Sequence, residues 1–486
     1  MTTTSIATLE PTYVFSHFDA FTRIARPSGQ EQGMIDYITQ WAESKSFEIK
    51  SDDAGNICIH VPGSPGHENS PPVILQGHLD MVCERNESSE YDASIGKLRT
   101  FIENDWLKAD GTTLGADNGI GVALAMAAAD DDSVIHPPLD LLFTIDEETG
   151  LTGAMKLDPG ILRGKTLINL DSEEDGSITV GCAGGADTHF RLKLEGHPVL
   201  DEYMGVKLSI SGLLGGHSGL DINKSRLNAI KALAEILQFS WPEPGFRLAS
   251  INGGSARNAI PREASVDIFL PEDSYDDLMK EIAENMGEFI SRYGQDEESM
   301  EINIRESELD RGAFSESDSQ KIVSLIQSIP SDVIEMSPDI EGLVQTSTNL
   351  GVISTMGWGV EVVSCSRSSV QSELKSVQAV LYKTGSLAGA EVLEVGGYPG
   401  WKPDLNSAVL KTTIKSYKKL FNSEPEIKAM HAGLECGLIG EKIPGIDMVS
   451  FGPEIMGAHS PDERLQISST QKTWELLKEV LKASVH

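Results

Sequence analysis

The stretch Val73-Ile-Leu-Gln-Gly-His78-Leu-Asp80 decides the fold, because a short apolar run ends in an imidazole and a carboxylate. Such a run, preceded by prolines and followed by charge, predicts a strand that is buried on both faces of a parallel sheet. His78 and Asp80 then lie at the carboxyl end of that strand. In an open α/β sheet this is the edge at which ligands bind.

The same pattern, an apolar run followed by acidic residues or histidine, recurs along the chain. The runs are 139–144, 166–170 and 448–451, and the residues after them are Glu147, Glu148, Asp171 and His459. Asp117 precedes an alanine-rich segment, 119–129, which we predict to be a helix that begins near Asp117-Asn118. Together these positions predict one cluster of ligands at the edge of a mostly parallel sheet.

The chain is too long, at 486 residues, for a single hydrophobic core. Segments 1–186 and 399–486 alternate helices and strands, which predicts an α/β catalytic domain made of two pieces. Segment 187–398 contains alternating strands and amphipathic helices, which we predict at 225–239 and 275–293, and this mixture predicts an inserted α+β domain. The glycine cluster Gly181-Cys-Ala-Gly-Gly-Ala186 is interpreted as the hinge between them.

Composition excludes several classes of partner. A formal net charge of -35 repels nucleic acid phosphates and anionic lipid, so we expect neither nucleic acid nor membrane as a partner. No stretch approaches the roughly 18 apolar residues of a membrane span, and residues 1–10 lack a signal-peptide pattern. The five cysteines are scattered and form no CxxC pair, which is typical of reduced thiols in a cytoplasmic protein.

The ligand types fit a centre of two zinc ions. Zinc prefers imidazole nitrogen and carboxylate oxygen, and two ions about 3.5 to 4 Å apart share a bridging carboxylate. We therefore expect Asp117 to bridge the ions, His78 and Asp171 to bind one of them, and Glu148 and His459 to bind the other. Cobalt and manganese accept the same ligands, so the native metal stays open.

Two further carboxylates suit catalytic roles. Asp80 can accept the second ring N–H of His78 and so fix the orientation of that imidazole. Glu147 points away from its neighbour Glu148, so one can bind metal while the other meets the attacking water. Glu147 is therefore the candidate general base.

Seven motifs resemble those of the M20 metallopeptidases, in particular the aminoacyl-histidine dipeptidase branch. They are Gln76-Gly-His-Leu-Asp80, Leu114-Gly-Ala-Asp-Asn-Gly119, Asp146-Glu-Glu-Thr-Gly150, Leu170-Asp171, Gly215-Gly-His-Ser-Gly219, Gly253-Gly-Ser-Ala-Arg-Asn-Ala-Ile-Pro261 and Gly457-Ala-His459. The resemblance covers almost the whole chain and implies the same metal ligands and the same catalytic pair, Asp80 and Glu147. It also implies a cis peptide bond after Asp117.

The resemblance further implies that the inserted segment is a lid domain that contacts substrate through His217, Asn258 and Arg367. A histidine can donate to the oxyanion of a tetrahedral intermediate, and an arginine suits a substrate carboxylate. The implied activity is hydrolysis of Xaa-His and other unblocked dipeptides by a water held between the metals.

Other functions stay open at this stage. Another M20 activity, such as a tripeptide aminopeptidase or an N-acyl amino acid deacylase, fits the same motifs. A non-catalytic metal-binding protein is the alternative from another class, although the presence of Glu147 argues against it. The sequence leaves open whether the chain forms a homodimer, and whether His431 and Glu435 support the metal site or only pack.

Overall fold

Two units of dense internal contacts make up the chain, which this computed structural model describes over residues 6–199, 202–239, 245–307 and 312–485. The first unit contains Met1–Gly181, Trp401–Ala429 and Leu434–His486, and the second contains Cys182–Gly400 and Met430–Gly433. The segment Met430–Gly433 was expected in the catalytic piece 399–486. It belongs to the second unit because Ala183 donates its N–H to the carbonyls of Met430 and Ala432.

Both units contain α-helices and β-strands. The α-helices of the described residues are α1 (Thr12–Phe21), α2 (Gln32–Ser44), α3 (Ala116–Asp130), α4 (Glu147–Gly150), α5 (Thr152–Lys156), α6 (Ala229–Phe239), α7 (Tyr275–Tyr293), α8 (Glu316–Ser328), α9 (Gln371–Leu387), α10 (Ala408–Phe421), α11 (Glu435–Lys442) and α12 (Ile467–Ala483). Among these helices, none combines the length and the apolar composition that a membrane span requires.

Within the described residues, the strands form two large sheets and two small ones. They are β1 (Glu48–Ser51), β2 (Ile57–Val61), β3 (Val73–His78), β4 (Thr100–Glu103), β5 (Trp106–Ala109), β6 (Leu139–Thr144), β7 (Thr166–Asn169), β8 (Ser177–Cys182), β9 (Gly184–Lys193), β10 (Tyr203–Ser211), β11 (Gly216–His217), β12 (Arg247–Gly253), β13 (Ala259–Ile260), β14 (Ala264–Pro271), β15 (Glu301–Glu306), β16 (Asp332–Met336), β17 (Val344–Met356), β18 (Gly359–Ser368), β19 (Glu391–Tyr398), β20 (Glu426–Met430), β21 (Asp447–Ser450), β22 (Ile455–Met456) and β23 (Arg464–Gln466).

The large sheet of the first unit has the order β1-β2-β6-β3-β7-β21-β8-β20. Its four central strands, β6, β3, β7 and β21, are parallel, whereas β1 pairs antiparallel with β2 and β2 pairs antiparallel with β6. The α/β class predicted from the sequence is therefore confirmed, with parallel pairing among these four central strands. Strands β3 and β6 are buried along their whole length, as expected for continuous apolar runs between helical layers.

The second unit is built around an antiparallel sheet with the order β15-β10-β14-β12-β17-β18-β9-β19, and β16 pairs with β17. Strands β12 and β17 join its two halves through the single register pair Gly253 and Ile353. Helix α6 buries Leu233 against the sheet residues Ile251 and Val266, which belong to one hydrophobic core. This core gives the second unit its own stabilising interior.

Candidate metal centre

The parallel strands end beside one another and so bring the predicted ligands to one edge of the first unit's sheet. His78 is the last residue of β3, Glu147 and Glu148 begin the short helix after β6, and Asp171 follows β7 closely. His459 lies in the loop between β22 and β23, which pair antiparallel. Parallel neighbours place their carboxyl ends at the same edge, so side chains distant in sequence meet there.

A first group of ligand atoms converges around His78. Its Nε2 atom lies 3.0 Å from Oδ1 of Asp117 and 3.4 Å from Oδ1 of Asp171. Burial alone would lower the pKa of His78, but the carboxylates of Asp171, Asp117 and Asp80 outweigh it and raise the pKa well above its usual value. One ring nitrogen therefore faces two carboxylates, as in a metal site.

A second group shares Asp117. Nε2 of His459 lies 3.1 Å from Oδ2 of Asp117 and 3.0 Å from Oε2 of Glu148. Hydrogen bonds with these two carboxylates raise the pKa of His459 to about 11. The two oxygens of Asp117 thus face different histidines, which is the geometry required of a carboxylate between two cations.

The charge balance of these groups favours cations. Asp117, Glu148 and Asp171 are carboxylates at close range in an interior where like charges repel strongly. Burial, the largest cause, raises the pKa of Asp171 to about 6 although His78 opposes it. In the described part of the chain, Oε1 of Glu148 is buried without a hydrogen-bond partner. A donor set of two imidazoles and three carboxylates fits divalent metal ions.

Asp80 connects the end of β3 to the turn after β6. One carboxylate oxygen lies 3.3 Å from Nδ1 of His78, and the other accepts a hydrogen bond of 2.7 Å from Ser28. The backbone N–H groups of Glu147 and Glu148 donate to the same carboxylate at 3.0 and 3.1 Å. Burial alone would raise the pKa of Asp80, but these contacts lower it to about 2.

Glu147 has different surroundings from Glu148. A carboxylate oxygen of Glu147 can reach within 4.8 Å of ligand atoms of His78 and Glu148. Burial is the largest cause that raises the pKa of Glu147 well above its usual value, and the neighbouring acids Asp171 and Glu435 add to it. A carboxylate with a raised pKa next to a metal centre has the proton affinity that a general base needs.

Asp117, the expected bridging residue, lies at an irregular start of α3. Asp117 and Asn118 have non-helical backbone angles, and the peptide bond between them is cis, as the resemblance implied. The regular helix therefore begins after Asn118, close to the predicted position.

Glu435 and His431, left open by the sequence, lie in different units. Glu435 is 1% exposed and accepts hydrogen bonds from Gln76 at 2.6 Å and Thr144 at 2.8 Å, at the ends of β3 and β6. His431 is in the second unit, where its Nε2 atom lies 2.7 Å from the hydroxyl oxygen of Ser347. Glu435 thus contacts the two strands that precede the predicted ligands, whereas His431 contacts Ser347 of its own unit.

The three expected substrate residues are all in the second unit. His217 ends β11, and its Nδ1 atom accepts backbone N–H bonds from Gly219 and Leu220 at 3.2 and 3.1 Å. Since Nδ1 accepts, the proton of the neutral ring is on Nε2. Burial is the largest cause that lowers the pKa of His217, and the nearby charge of Arg367 adds to it.

Arg367, on β18, is 5% exposed and has a partner that the sequence analysis missed. It donates a hydrogen bond of 3.2 Å to the hydroxyl of Tyr398, on β19. Within the described residues its Nε atom has no hydrogen-bond partner. Asn258 is exposed, and its carbonyl accepts the N–H of Ser218, which ties the two glycine-rich motifs together.

A cluster elsewhere in the first unit has metal-ligand residue types but a different explanation. Cys58, His60 and Asp140 lie within reach of one another. Arg163 neutralises this group, because its side chain and N–H bind both carboxylate oxygens of Asp140. The cluster is therefore a paired structural group.

The chain belongs to peptidase family M20/M25/M40, whose model matches residues 74–483. The expectation of an M20 metallopeptidase is thus confirmed, and the chain is a hydrolase. It is 40% identical over 478 residues to the cytosol non-specific dipeptidase of Escherichia coli (strain K12), and the match covers 98% of each chain.

Solved structures agree with this placement. Aminoacylhistidine dipeptidase from Vibrio alginolyticus matches with a TM-score of 0.92 and 38% identity, over 99% of this chain and 98% of that chain. Aminopeptidase PepT from Bacillus cereus matches with a TM-score of 0.57 over 98% of this chain and 100% of that chain. At 15% identity, the latter shows a common fold only.

Proposed function

We propose that this protein is a metal-dependent dipeptidase that hydrolyses Xaa-His and other unblocked dipeptides. The observation that carries the proposal is the pair of ligand groups around His78 and His459, which share Asp117 in a chain similar over its whole length to two dipeptidases. A rival non-catalytic role has less support, because Glu147 lies beside both groups.

The cofactor in this proposal is a pair of zinc ions, with cobalt or manganese as substitutes. His78 and Asp171 would hold one ion, Glu148 and His459 the other, and Asp117 would contact both. When bound, the ions would polarise the scissile carbonyl and lower the pKa of water.

Glu147 acts on the attacking water in the proposed reaction. As the water oxygen forms a bond to the scissile carbonyl carbon, Glu147 accepts the water's proton. It then donates that proton to the nitrogen of the leaving amino acid as the C–N bond breaks. Asp80 acts through its contacts: it orients His78 and holds the backbone of residues 147 and 148.

The second unit is proposed to be the lid domain that binds substrate. His217 would donate from Nε2 to the oxyanion, because two backbone amides occupy Nδ1. Arg367 would bind the terminal carboxylate of the dipeptide, since a buried guanidinium with an unsatisfied Nε has donors left for an anion. Asn258 would contact the substrate from the adjoining turn.

We also propose a cytoplasmic location, as the name of the Escherichia coli relative indicates for that protein. Small dipeptides are the partners in this proposal, and nucleic acid and membranes are not. A homodimer stays an alternative.

A substrate panel combined with metal analysis tests the proposal. We expect the purified protein to hold two metal ions per chain and to cleave Gly-His and β-Ala-His faster than a tripeptide or an N-acetyl amino acid. Preference for the tripeptide would indicate an aminopeptidase, and preference for the N-acetyl amino acid a deacylase. Metal binding without hydrolysis of any of them would support the non-catalytic alternative.

A further inference from the structure

We propose that Glu463 and Arg26 are positioning residues. Together they fix the relative placement of three separate chain segments that carry the metal ligands. The inference rests on the proposed metal centre and goes beyond it, because neither residue belongs to the ligand set or to the catalytic pair.

Glu463 occupies a nest of backbone amides directly before the bridging aspartate. Its Oε2 atom accepts the N–H groups of Leu114 at 2.6 Å and Gly115 at 3.0 Å. Its Oε1 atom accepts those of Ala116 at 2.7 Å and Asp117 at 3.3 Å. Successive N–H groups that point to one side form an anion-binding concavity, and here the chain fills it with its own carboxylate.

The same carboxylate belongs to the loop that presents His459. Strands β22 and β23 close this loop, and the N–H of Glu463 donates to the carbonyl of Ser460 within it. His459 has a left-handed backbone conformation, with a φ of 62°. Glu463 therefore fixes the loop that contains His459 against the turn that contains Asp117. In the proposed metal centre, the side chains of these two residues bind the same ion.

Arg26 extends the connection to the end of β3. Its Nη1 atom donates to the carbonyls of Leu79 at 3.0 Å and Asp80 at 2.9 Å, directly after His78. Its Nη2 atom donates to the carbonyl of Gly115, whose N–H binds Glu463. Arg26 therefore binds the carbonyl of Gly115, and Glu463 binds its N–H.

Both charged groups are in the interior. Arg26 and Glu463 are each 2% exposed. Gly115 has a φ of 72°, and a Cβ there would lie 2.5 Å from Nη2 of Arg26, so the turn cannot relax around a larger residue. Buried charges cost free energy unless they are fully hydrogen-bonded, and here their hydrogen bonds go to the backbone of ligand segments.

The test compares Glu463→Gln with Asp447→Asn, a matched control. Asp447 also binds two backbone N–H groups with one carboxylate oxygen, those of Ala408 and Val409 at 2.9 Å each, at the start of α10. Each variant is stripped of metal by a chelator and titrated with Co²⁺ and Zn²⁺ against a competing dye. The visible spectrum of bound Co²⁺ and the melting temperature of the metal-free protein are recorded.

We expect Glu463→Gln to lower metal affinity by about 10 to 100-fold and to change the Co²⁺ spectrum, because an amide accepts fewer N–H groups and its NH₂ opposes donors. Asp447→Asn should keep the parent affinity and spectrum even if it melts lower. Parent-like affinity and spectrum in Glu463→Gln would overturn the inference, and so would an equal loss of affinity in Asp447→Asn.

Arg26→Lys keeps the inference testable if Glu463→Gln does not fold. The lysine keeps the charge but cannot bind three carbonyls with a planar fork, so affinity should again fall. Unchanged affinity in Arg26→Lys would overturn the three-segment connection. Failure of the parent protein to bind two metals would instead refute the proposed function, so the two failures are distinguishable.

Discussion

Glu147 and Glu148 are adjacent in the sequence, yet their surroundings differ, which supports the different roles proposed for them. Oε2 of Glu148 lies 3.0 Å from His459, in the second ligand group. Glu147 has its pKa raised, mainly by burial. We expect Glu147→Gln to retain both metals and to lose roughly 10² to 10⁴ in kcat, because the amide keeps the shape but cannot accept a proton.

The neighbouring substitution Glu148→Gln is the matched control for this prediction. It removes a proposed ligand, so its metal content should fall together with its activity. Metal content is measured by elemental analysis and kcat with a saturating dipeptide. A near-parent kcat in Glu147→Gln, or loss of metal from it, would refute the assignment of the general base.

The sequence predicts the candidate ligands because four of them follow apolar runs and Asp117 precedes an alanine-rich helix, and parallel strands that share an edge then bring these side chains together. It does not predict the positioning role proposed for Glu463 and Arg26. Their partners are backbone groups, and Leu114 lies 349 residues from Glu463. Every residue has the same backbone N–H and carbonyl groups apart from proline, so no sequence motif predicts hydrogen bonds to them. Tyr398, whose hydroxyl accepts a hydrogen bond from Arg367, was missed for a different reason: the two side chains are 31 residues apart and belong to no common motif.

Elements were predicted better in their centres than at their ends. Helix α7 has the predicted bounds Tyr275–Tyr293, whereas α6 was expected from Ser225 and begins at Ala229. The side chain of Asn228 accepts the N–H groups of Ile230 and Lys231 at 3.0 and 3.2 Å, as an N-cap does. Apolar periodicity extends through such a cap, so periodicity alone places the start too early.

The short segment Met430–Gly433 contains a buried histidine, His431. Burial, the largest cause, lowers the pKa of His431 to about 3, and the charge of Arg367 adds to it. The unfolded chain, with a histidine pKa of about 6.5, binds more protons between these values, so stability falls as the pH drops below about 6.5. From neutral pH to pH 5.5, His431 should account for a loss of about 1.4 kcal/mol.

Denaturant unfolding at pH 7.5 and pH 5.5 measures this loss. In His431→Asn the difference between the two pH values should shrink by about 1.4 kcal/mol. Ser347→Ala is the control, because it removes the 2.7 Å contact to His431 but leaves the buried imidazole in place. It should lower stability at both pH values and keep the parent difference. An unchanged difference in His431→Asn would contradict the prediction.

Over the whole molecule, the sequence predicts a catalytic α/β part with an inserted part rich in strands, because the period of the apolar pattern changes near residue 187. It does not predict that Met430–Gly433 returns to the second unit. That placement depends on the carbonyls of Met430 and Ala432, which accept the N–H of Ala183, a contact between segments distant in the chain. Hydropathy carries no information on such a return.

Metal binding is proposed for the first unit and substrate binding for the second. Arg367→Ala removes the proposed partner of the dipeptide's carboxylate, so kcat/KM for a dipeptide should fall by about 10 to 100-fold, the value of a charged hydrogen-bonded contact of roughly 1.5–3 kcal/mol. Hydrolysis of the matching dipeptide amide, which lacks that carboxylate, should change far less.

Arg191→Ala is the control for this comparison, because Arg191 belongs to the same sheet and pairs with Glu361 at 2.7 Å. It should leave the ratio of the two substrates as in the parent, and metal content should be unchanged in both variants. If Arg367→Ala lowered kcat/KM equally for the dipeptide and for its amide, the role of Arg367 would be to stabilise the second unit through Tyr398. Another cation would then have to bind the substrate carboxylate. The ratio of kcat/KM for the dipeptide to kcat/KM for its amide therefore distinguishes a role of Arg367 in substrate recognition from a role in folding.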